Sequence, residues 1–290
     1  MSRIGFIGLG NMGAPMAANL VAAGHEVVGF DVADVAVDGV TKAGSAKEAA
    51  LADLVITMLP NGQILRAVYA EIVPVTPPGA CLVDCSTVDV ESARAGHGMA
   101  AEAGLMSVDA PVSGGVGGAV AGTLTFMAGG SDAAFAKAAP AFEIMGQKVV
   151  HCGDAGAGQA AKICNNMLLA ISMIGVGEAF NLGARLGLDP EKLFEVVSTS
   201  SGHCWSVNAY CPVAGVGPKS PADNDFQPGF AAELMVKDTG LSQDAAAAVD
   251  AATPLGAHAA DLYREFVEAG GRGKDFSGII EMLERRTRGG

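Results

Sequence analysis

A lysine and two asparagines stand close together in an otherwise apolar stretch of the chain. Lys162, Asn165 and Asn166 are spaced so that an α-helix would place all three side chains on one face. Burying such groups is costly unless they line a cavity or meet polar partners. Desolvation lowers the pKa of a lysine, and a lowered pKa suits a side chain that exchanges protons near neutral pH. The pattern fits an acid–base lysine, or a lysine that reaches solvent beside an exposed helix end.

Two other segments carry polar groups in places where chemistry needs them. Ser113 follows a short apolar run, and the backbone N–H groups of Gly114 and Gly115 beside it offer a cradle for a carboxylate. A flexible loop would explain the same residues. Lys237 and Asp238 interrupt an apolar helical pattern, which fits either a functional pair or an ion pair on a helix surface.

The N-terminal segment has the glycine spacing of a dinucleotide site. A short apolar run leads into three glycines, Gly8, Gly10 and Gly13, and a helical pattern follows them. Asn11 and Met12 lie between the second and third of these glycines. The glycines allow a tight turn, close approach to a pyrophosphate and close helix–strand packing, and the helix N-terminus attracts phosphate. Asp31 closes the second strand, where it accepts hydrogen bonds from ribose hydroxyls and repels a 2′-phosphate. The sequence therefore predicts NAD, the alternative being a glycine turn with a surface aspartate.

The elements that position these residues alternate along the first half of the chain. Apolar runs at residues 4–8, 26–30, 54–59, 81–83, 108–110 and 124–128 predict strands with helices between them. A long helical pattern spans residues 159–186, and residues 190–198, 231–249, 255–269 and 276–286 also predict helices. We therefore expect an α/β fold, with a Rossmann-type doubly wound sheet in a domain of residues 1–158. An all-helical domain of residues 159–290 would begin with the long connecting helix.

Composition limits the partners of the chain. Its net charge of −13 leaves no basic face for nucleic acid or an anionic membrane. The long apolar helix is interrupted by Asn165, Asn166, Ser172 and Glu178, so we expect a buried helix and no membrane span. The six cysteines show no metal-ligand spacing, so we expect no metal site, and Cys81 and Cys85 are predicted to be buried free thiols. The absence of a signal peptide predicts a cytoplasmic location.

Taken together, these motifs resemble the β-hydroxyacid dehydrogenase family. The matching stretches run nearly end to end, including residues 5–20, 58–60, 83–87, 109–124, 156–169, 200–202, 237–238 and 253–257. The resemblance implies a Rossmann domain joined to an all-helical domain, and assembly into a homodimer or homotetramer. It places the catalytic lysine at Lys162 with Asn166 beside it, the substrate-carboxylate loop at Ser113, Gly114 and Gly115, and cofactor-lining residues at Leu59, Pro60 and Thr87. Lys237, accompanied by Asp238, would lie at the cofactor and substrate end of the cleft.

The activity implied by the resemblance is NAD-dependent oxidation of 3-hydroxyisobutyrate to methylmalonate semialdehyde, a step of valine breakdown. Lys162 would take the hydroxyl proton as a neutral amine, and Asn166 would hydrogen-bond the reacting oxygen or orient the lysine. A base that must be unprotonated predicts a rate that rises with pH into the alkaline range.

Sister activities remain as alternatives. Relatives reduce tartronate semialdehyde, succinic semialdehyde or glyoxylate, and a more distant alternative is a non-catalytic dinucleotide-binding scaffold, which tends to lack the lysine. Phosphogluconate oxidation is disfavoured because the second domain is net acidic, and imine reduction because such relatives usually lack the lysine. His203, Cys204 and Thr239 depart from the family pattern and bear on fine substrate specificity.

Overall fold

The computed structural model describes residues 2–288 of the chain. The chain forms two compact units, Met1–Lys162 and Ile163–Gly290. The first unit contains a nine-stranded sheet flanked by helices, whereas the second consists of helices and turns in its described part. The predicted fold class is thereby confirmed.

The sheet of the first unit has the strand order of a doubly wound fold. Its strands are β1 (Arg3–Ile7), β2 (Glu26–Phe30), β3 (Thr41–Lys42), β4 (Leu54–Thr57), β5 (Cys81–Asp84), β6 (Met106–Asp109), β7 (Val112–Ser113), β8 (Leu124–Gly129) and β9 (Gly146–Gly153). The order is β3-β2-β1-β4-β5-β6-β8-β7, and β9 pairs with β8. The strands from β3 to β6 are parallel. The strand order reverses between β1 and β4, and ligands of such sheets bind at the carboxyl ends of the strands at this point.

Helices cover both faces of this sheet. They are α1 (Gly13–Ala22), α2 (Ala46–Ala49), α3 (Gly62–Ile72), α4 (Val90–Glu102), α5 (Gly115–Ala121) and α6 (Asp132–Met145), followed by the start of α7 (Ala157–Arg185). Because successive strand residues point to opposite faces, Phe6 and Ile7 of β1 enter different cores. Phe6 packs in a cluster with Met16, and Ile7 in one with Leu65, so the sheet is buried on both sides.

The second unit is built from the rest of α7 and five further helices. These are α8 (Pro190–Thr199), α9 (Trp205–Asn208), α10 (Ala232–Ala248), α11 (Pro254–Phe266) and α12 (Ile279–Arg288). Two apolar clusters hold them together, one around Met173, Met235 and Tyr263 and the other around Phe180 and Val207. The predicted helix at 255–269 ends earlier, at Phe266, because the chain turns into a short π-helical segment in which Gly270 has a φ of 102°.

Helix α7 has the length and apolar composition of a membrane-spanning helix. The core helix of a soluble protein passes the same test, and 39% of the most apolar window of α7 is buried within the protein. Gln159, Lys162 and Asn166 are polar residues of α7 that are themselves buried.

Candidate active site

The predicted dinucleotide turn joins β1 to α1, and its glycines have two different steric roles. A Cβ atom at Gly13 would lie 1.9 Å from the carbonyl oxygen of Gly8, and one at Gly8 would lie 2.2 Å from that of Met58. Both positions therefore need the absence of a side chain for the protein itself to fold. A Cβ at Gly10 would meet nothing within 4 Å. The space beside Gly10 is open where the backbone would approach a pyrophosphate, so the turn fits NAD.

Asp31 is fixed at the carboxyl end of β2 by the backbone around it. Its Oδ2 accepts a hydrogen bond from the Leu9 N–H at 2.7 Å, and its Oδ1 accepts one from the Ala33 N–H at 2.8 Å. Each carboxylate oxygen keeps a further lone pair for a ribose hydroxyl. The next residue, Val32, is 96% exposed and apolar, so it offers no cation to a 2′-phosphate. The Asp31 carboxylate thus suits NAD.

A buried polar network at the ends of β4 and β5 reaches Leu59, one of the other predicted cofactor residues. Asp84 at the end of β5 accepts hydrogen bonds at Oδ1 from the hydroxyls of Thr57, at 2.7 Å, and Ser86, at 2.5 Å. The Ser86 hydroxyl in turn accepts a hydrogen bond from the Leu59 N–H at 2.7 Å. Leu59 and Thr87 are half-buried, and Pro60 is exposed. The carboxyl ends of β4 and β5 therefore position the backbone of Leu59 through hydrogen bonds that the sequence did not predict.

Asp84 has an unusual electrostatic environment. Burial raises the pKa of its carboxyl group from 3.8 to about 6, against the opposing effect of the hydrogen bonds from Ser86 and Thr57. The negative charge of Asp109 raises it further. Oδ2 of Asp84 is buried and has no hydrogen-bond partner among the described residues. The carboxylate form of Asp84 is therefore poorly stabilised in the folded protein.

The predicted substrate-carboxylate loop lies at the turn between β7 and α5. Ser113 is half-buried at the end of β7. Gly114 and Gly115 follow with φ values of 133° and 60°, conformations that favour glycine because side chains rarely adopt them. Gly114 is exposed, and Gly115 is the first residue of α5. The loop thus has a defined backbone conformation.

Lys162 lies in the second turn of α7, within the first unit, and is 6% exposed. This burial rules out the alternative in which its ammonium extends into solvent from a helix end. The start of α7 is anchored by Asp109 at the end of β6. The Asp109 carboxylate accepts hydrogen bonds from the N–H groups of Gly156, at 2.8 Å, and Gln159, at 2.9 Å. A Cβ at Gly158 would lie 2.2 Å from the carbonyl oxygen of Met127, so this turn of α7 rests directly on strand backbone.

The second unit brings together the other polar residues that the sequence singled out. Asn166, which is 2% exposed, donates a hydrogen bond from Nδ2 to Oδ2 of Asp238 at 2.5 Å. Asn165 is exposed and donates a hydrogen bond to Oδ1 of Asn166 at 3.0 Å. Nζ of Lys237 lies 3.8 Å from Oδ1 of Asp238. Because Asp238 is 2% exposed, the alternative of an ion pair on a helix surface does not describe it.

Three buried residues that sequence reasoning missed, Ser86, Asp109 and Gln159, connect the site residues of the first unit. The hydrogen-bond partners of the Gln159 side chain are more than 70 residues distant along the chain, so no local spacing signals them. Asp109 lies in the loop motif, four residues before Ser113. The local signal was that Ser86 adjoins Thr87 and that Gln159 lies three residues before Lys162.

The cysteines and acidic residues in residues 2–288 are possible metal ligands. No group of three or more histidine, cysteine, aspartate or glutamate side chains in that range is arranged to hold a metal ion. Cys81 and Cys85 are buried free thiols, as predicted. Burial raises the pKa of Cys81 to about 12 and also raises that of Cys85, so both stay protonated at neutral pH.

Comparison with known proteins places this geometry in a family. Residues 3–153 match the family model described as the NAD binding domain of 6-phosphogluconate dehydrogenase. Residues 156–283 match the model described as NAD-binding of NADP-dependent 3-hydroxyisobutyrate dehydrogenase. A probable 3-hydroxyisobutyrate dehydrogenase of Mycobacterium tuberculosis is 51% identical over 99% of both chains.

The names of two further matches include L-serine. An NAD-dependent L-serine dehydrogenase of Pseudomonas aeruginosa is 47% identical over the full length of both chains. The solved structure of Mycobacterium tuberculosis 3-hydroxyisobutyrate dehydrogenase with L-serine has a TM-score of 0.94 and 50% identity, and covers 98% of this chain and 99% of that one. With the glycine turn, Asp31 and the strand order described above, these similarities show that the chain is an NAD-dependent oxidoreductase that belongs to the β-hydroxyacid dehydrogenase family.

Proposed function

We propose that the protein oxidises 3-hydroxyisobutyrate to methylmalonate semialdehyde with NAD, a step of valine breakdown. The observation that supports this most is the buried Lys162, carried by a helix whose start is anchored to the end of β6 by Asp109. A buried amine is the group that the reaction needs as a base, because desolvation favours its neutral form. The names of the full-length relatives support the choice of substrate.

In the proposed reaction, different residues transfer the proton and hold the substrate carboxylate. Lys162, as a neutral amine, takes the proton of the substrate hydroxyl and returns it in the reverse direction. Bound NAD supplies the acceptor for the hydride that leaves the carbinol carbon. Ser113 and the N–H groups of Gly114 and Gly115 hold the substrate carboxylate, which fixes the reacting carbon with respect to the base.

The second-unit residues are assigned supporting roles in the same proposal. Asn166 follows Lys162 by one helical turn of α7, and we assign it to hydrogen-bonding the reacting oxygen or orienting the lysine. The hydrogen bond from Asn166 to Asp238 fixes the orientation of its amide. Lys237 is assigned to the cofactor and substrate. Its partial exposure, with 32% of the side chain accessible, leaves it able to meet a ligand.

L-Serine is the second candidate substrate, because a full-length relative is named for it. Serine and 3-hydroxyisobutyrate both carry a carboxylate and a hydroxymethyl group on the central carbon. The third substituent is an ammonium group in serine and a methyl group in 3-hydroxyisobutyrate. Thr239, which departs from the family pattern, is completely buried, and its hydroxyl donates to the carbonyl oxygen of Met235 at 2.8 Å. Reduction of tartronate semialdehyde, succinic semialdehyde or glyoxylate would use the same base and cofactor.

The proposal also covers the location of the protein, its oligomeric state and the roles of its two domains. We propose a cytoplasmic homodimer or homotetramer, with residues 1–158 as the NAD domain and 159–290 as the domain for substrate binding and assembly. The identification as a soluble enzyme is supported by the polar residues Gln159, Lys162 and Asn166 buried along α7.

The test is a parallel assay of NAD reduction at alkaline pH with 3-hydroxyisobutyrate, L-serine, glycerate and 4-hydroxybutyrate. We expect the highest kcat/KM for 3-hydroxyisobutyrate. A higher kcat/KM for serine or another acid would support the proposed reaction but change the assigned substrate to that acid. No turnover of any of the four acids would contradict the proposed function.

A further inference from the structure

The side chain of Gln159 joins the segment before α4 to the first turn of α7. Gln159 is completely buried. Its Nε2 donates a hydrogen bond to the carbonyl oxygen of Ser86 at 2.7 Å, and its Oε1 accepts one from the N–H of Val88 at 3.1 Å. The two bonds lie on either side of Thr87, so one amide fixes the backbone both before and after that residue.

The same residue is held from the other side by Asp109. The Asp109 carboxylate accepts the backbone N–H of Gln159 at 2.9 Å. Gln159 therefore uses its main chain to secure α7 to the end of β6 and its side chain to secure Thr87 beyond the end of β5. Lys162 follows three residues later on α7.

We propose that Gln159 is a positioning residue that sets the affinity for NAD by holding Thr87 in place relative to the helix that carries Lys162. The inference rests on the proposed roles of Thr87 and Lys162. Both functions of the amide are needed, because Ser86 offers only an acceptor and Val88 only a donor at these points. A side chain that provides one function without the other leaves a buried backbone group without its partner.

The first test compares two glutamines that are both replaced by methionine. Gln159→Met removes the two bonds and keeps a similar volume. Gln243→Met is the matched control, because the amide of Gln243 also bonds neighbouring side chains, Ser242 and Thr253, which have no proposed role. With NAD affinity measured by calorimetry on the full chain without substrate, we expect Gln159→Met to weaken binding at least tenfold and Gln243→Met to stay within twofold of the wild type.

The second test uses protonation to restore the missing function. A neutral glutamic acid at position 159 has a donor and an acceptor like the amide, whereas its carboxylate has no donor for Ser86. Burial and the nearby carboxylates of Asp84 and Asp109 favour the neutral form. We therefore expect the NAD Kd of Gln159→Glu, divided by that of the wild type at the same pH, to be at least fivefold larger at pH 8.5 than at pH 6. Both proteins carry Asp84, Asp109 and His97, whose ring Nε2 lies 2.9 Å from Oδ1 of Asp109. Dividing by the wild-type Kd at the same pH corrects for pH effects on NAD binding that do not depend on position 159.

A double-mutant cycle identifies Thr87 as the point of action. If Gln159 acts through Thr87, Gln159→Met and Thr87→Ala weaken NAD binding by less in combination than the product of their separate effects.

Three results would overturn the inference: an NAD Kd of Gln159→Met within twofold of the wild type, a ratio for Gln159→Glu that does not change with pH, or fully multiplicative effects in the cycle. If Gln159→Met does not fold, the Gln159→Glu ratio decides alone. Because no hydroxy acid is present, a wild type that binds NAD but does not oxidise 3-hydroxyisobutyrate would refute the substrate and leave this inference standing. A wild type that binds no NAD would refute the inference itself.

Discussion

Single residues at the carboxyl ends of the strands stabilise the fold at the place where we propose that NAD binds. Asp84 organises Thr57 and Ser86, and through Ser86 the backbone of Leu59, yet its own carboxylate is buried with one oxygen lacking a partner in the described part of the chain. Its pKa is raised to about 6, so the folded protein holds a proton on Asp84 that the unfolded chain releases at lower pH.

Asp84→Asn should change how stability depends on pH. Between pH 4 and 7 the folded wild type binds more protons at Asp84 than the unfolded chain does, so this residue makes stability fall as pH rises. A pKa raised from 3.8 to about 6 corresponds to about 3 kcal/mol. Urea unfolding at several pH values should show the variant gaining up to this amount relative to the wild type between pH 4 and 7.

The control for this measurement is Asp53→Asn, an exposed aspartate just before β4. Its free energy of unfolding relative to the wild type should stay nearly constant over the same pH range. If the free energy of unfolding of Asp84→Asn relative to the wild type is also constant between pH 4 and 7, the raised pKa of the buried Asp84 carboxyl group is contradicted.

Asp31→Ala should reduce both the affinity for NAD and the discrimination against NADP. Hydrogen bonds to a charged group contribute about 1.5–3 kcal/mol, which predicts a roughly 10- to 100-fold weaker NAD Kd. The NADP Kd should change less or improve, because the negative charge that repels the 2′-phosphate is gone. Calorimetry with both dinucleotides checks this, with Asp53→Ala as a control at the opposite end of the strands; unchanged NAD affinity would refute the role of Asp31.

At the scale of elements, the β1–α1 turn and the start of α7 are the two devices that position the site residues of the first unit. The turn was predictable because its signal is local: three glycines, a preceding apolar strand and Asp31 at the end of the next strand. The anchoring of α7 was not predictable, because Asp109 and Gln159 are 50 residues apart along the chain.

The strands show the same contrast. The run at 26–30 is confirmed residue for residue as β2, whose three middle residues are buried and which lies between turn residues. The strand β9 (Gly146–Gly153) was missed, because it is a largely exposed strand with adjacent valines and no alternation of apolar and polar residues. The short strands β3 and β7 have two residues each and carry no periodicity.

Two glycine substitutions should separate folding from cofactor binding in the β1–α1 turn. Gly10→Ala places a methyl group in open space and should leave the free energy of unfolding within about 1 kcal/mol of the wild type. NAD binding should weaken at least tenfold, because the methyl group occupies the approach of the pyrophosphate. Gly13→Ala brings its Cβ to 1.9 Å from the Gly8 oxygen and should cost more than about 2 kcal/mol of stability without any cofactor present.

Urea unfolding of the apo proteins and NAD titration of the folded variants measure the two effects. Equal destabilisation by the two alanines would show that the glycines differ less than the steric distances indicate. Normal NAD binding by Gly10→Ala would refute the placement of the pyrophosphate at this turn.

At the scale of the whole molecule, the sequence predicts that the chain associates with further copies of itself. Several exposed leucines lie on α7 and just after it: Leu168, Leu182, Leu186 and Leu188, each at least 46% exposed. Self-association would remove this apolar surface from water. We expect light scattering after size exclusion to give a mass of at least about twice the 29.0 kDa of one chain, and a mass of one chain at micromolar concentration would refute the proposed oligomer.

The net charge of −13 affects how the whole molecule can bind an anionic cofactor. An acidic protein that binds an anionic dinucleotide needs local groups that attract phosphate, and we expect the glycine turn at the start of α1 to supply them instead of a basic patch. Composition alone therefore predicts no nucleic-acid partner, but it could not select among hydroxy acids, whose recognition depends on a few side chains.

The measurement that tests the central claim most directly is turnover of 3-hydroxyisobutyrate with NAD by the wild type and by Lys162→Met, with NAD affinity measured for both. Methionine keeps much of the buried side-chain volume and removes the amine. The account predicts a kcat at least about 1,000-fold lower for Lys162→Met with an NAD Kd within about threefold of the wild type. A variant that keeps more than a tenth of the wild-type kcat would contradict the assignment of Lys162 as the base.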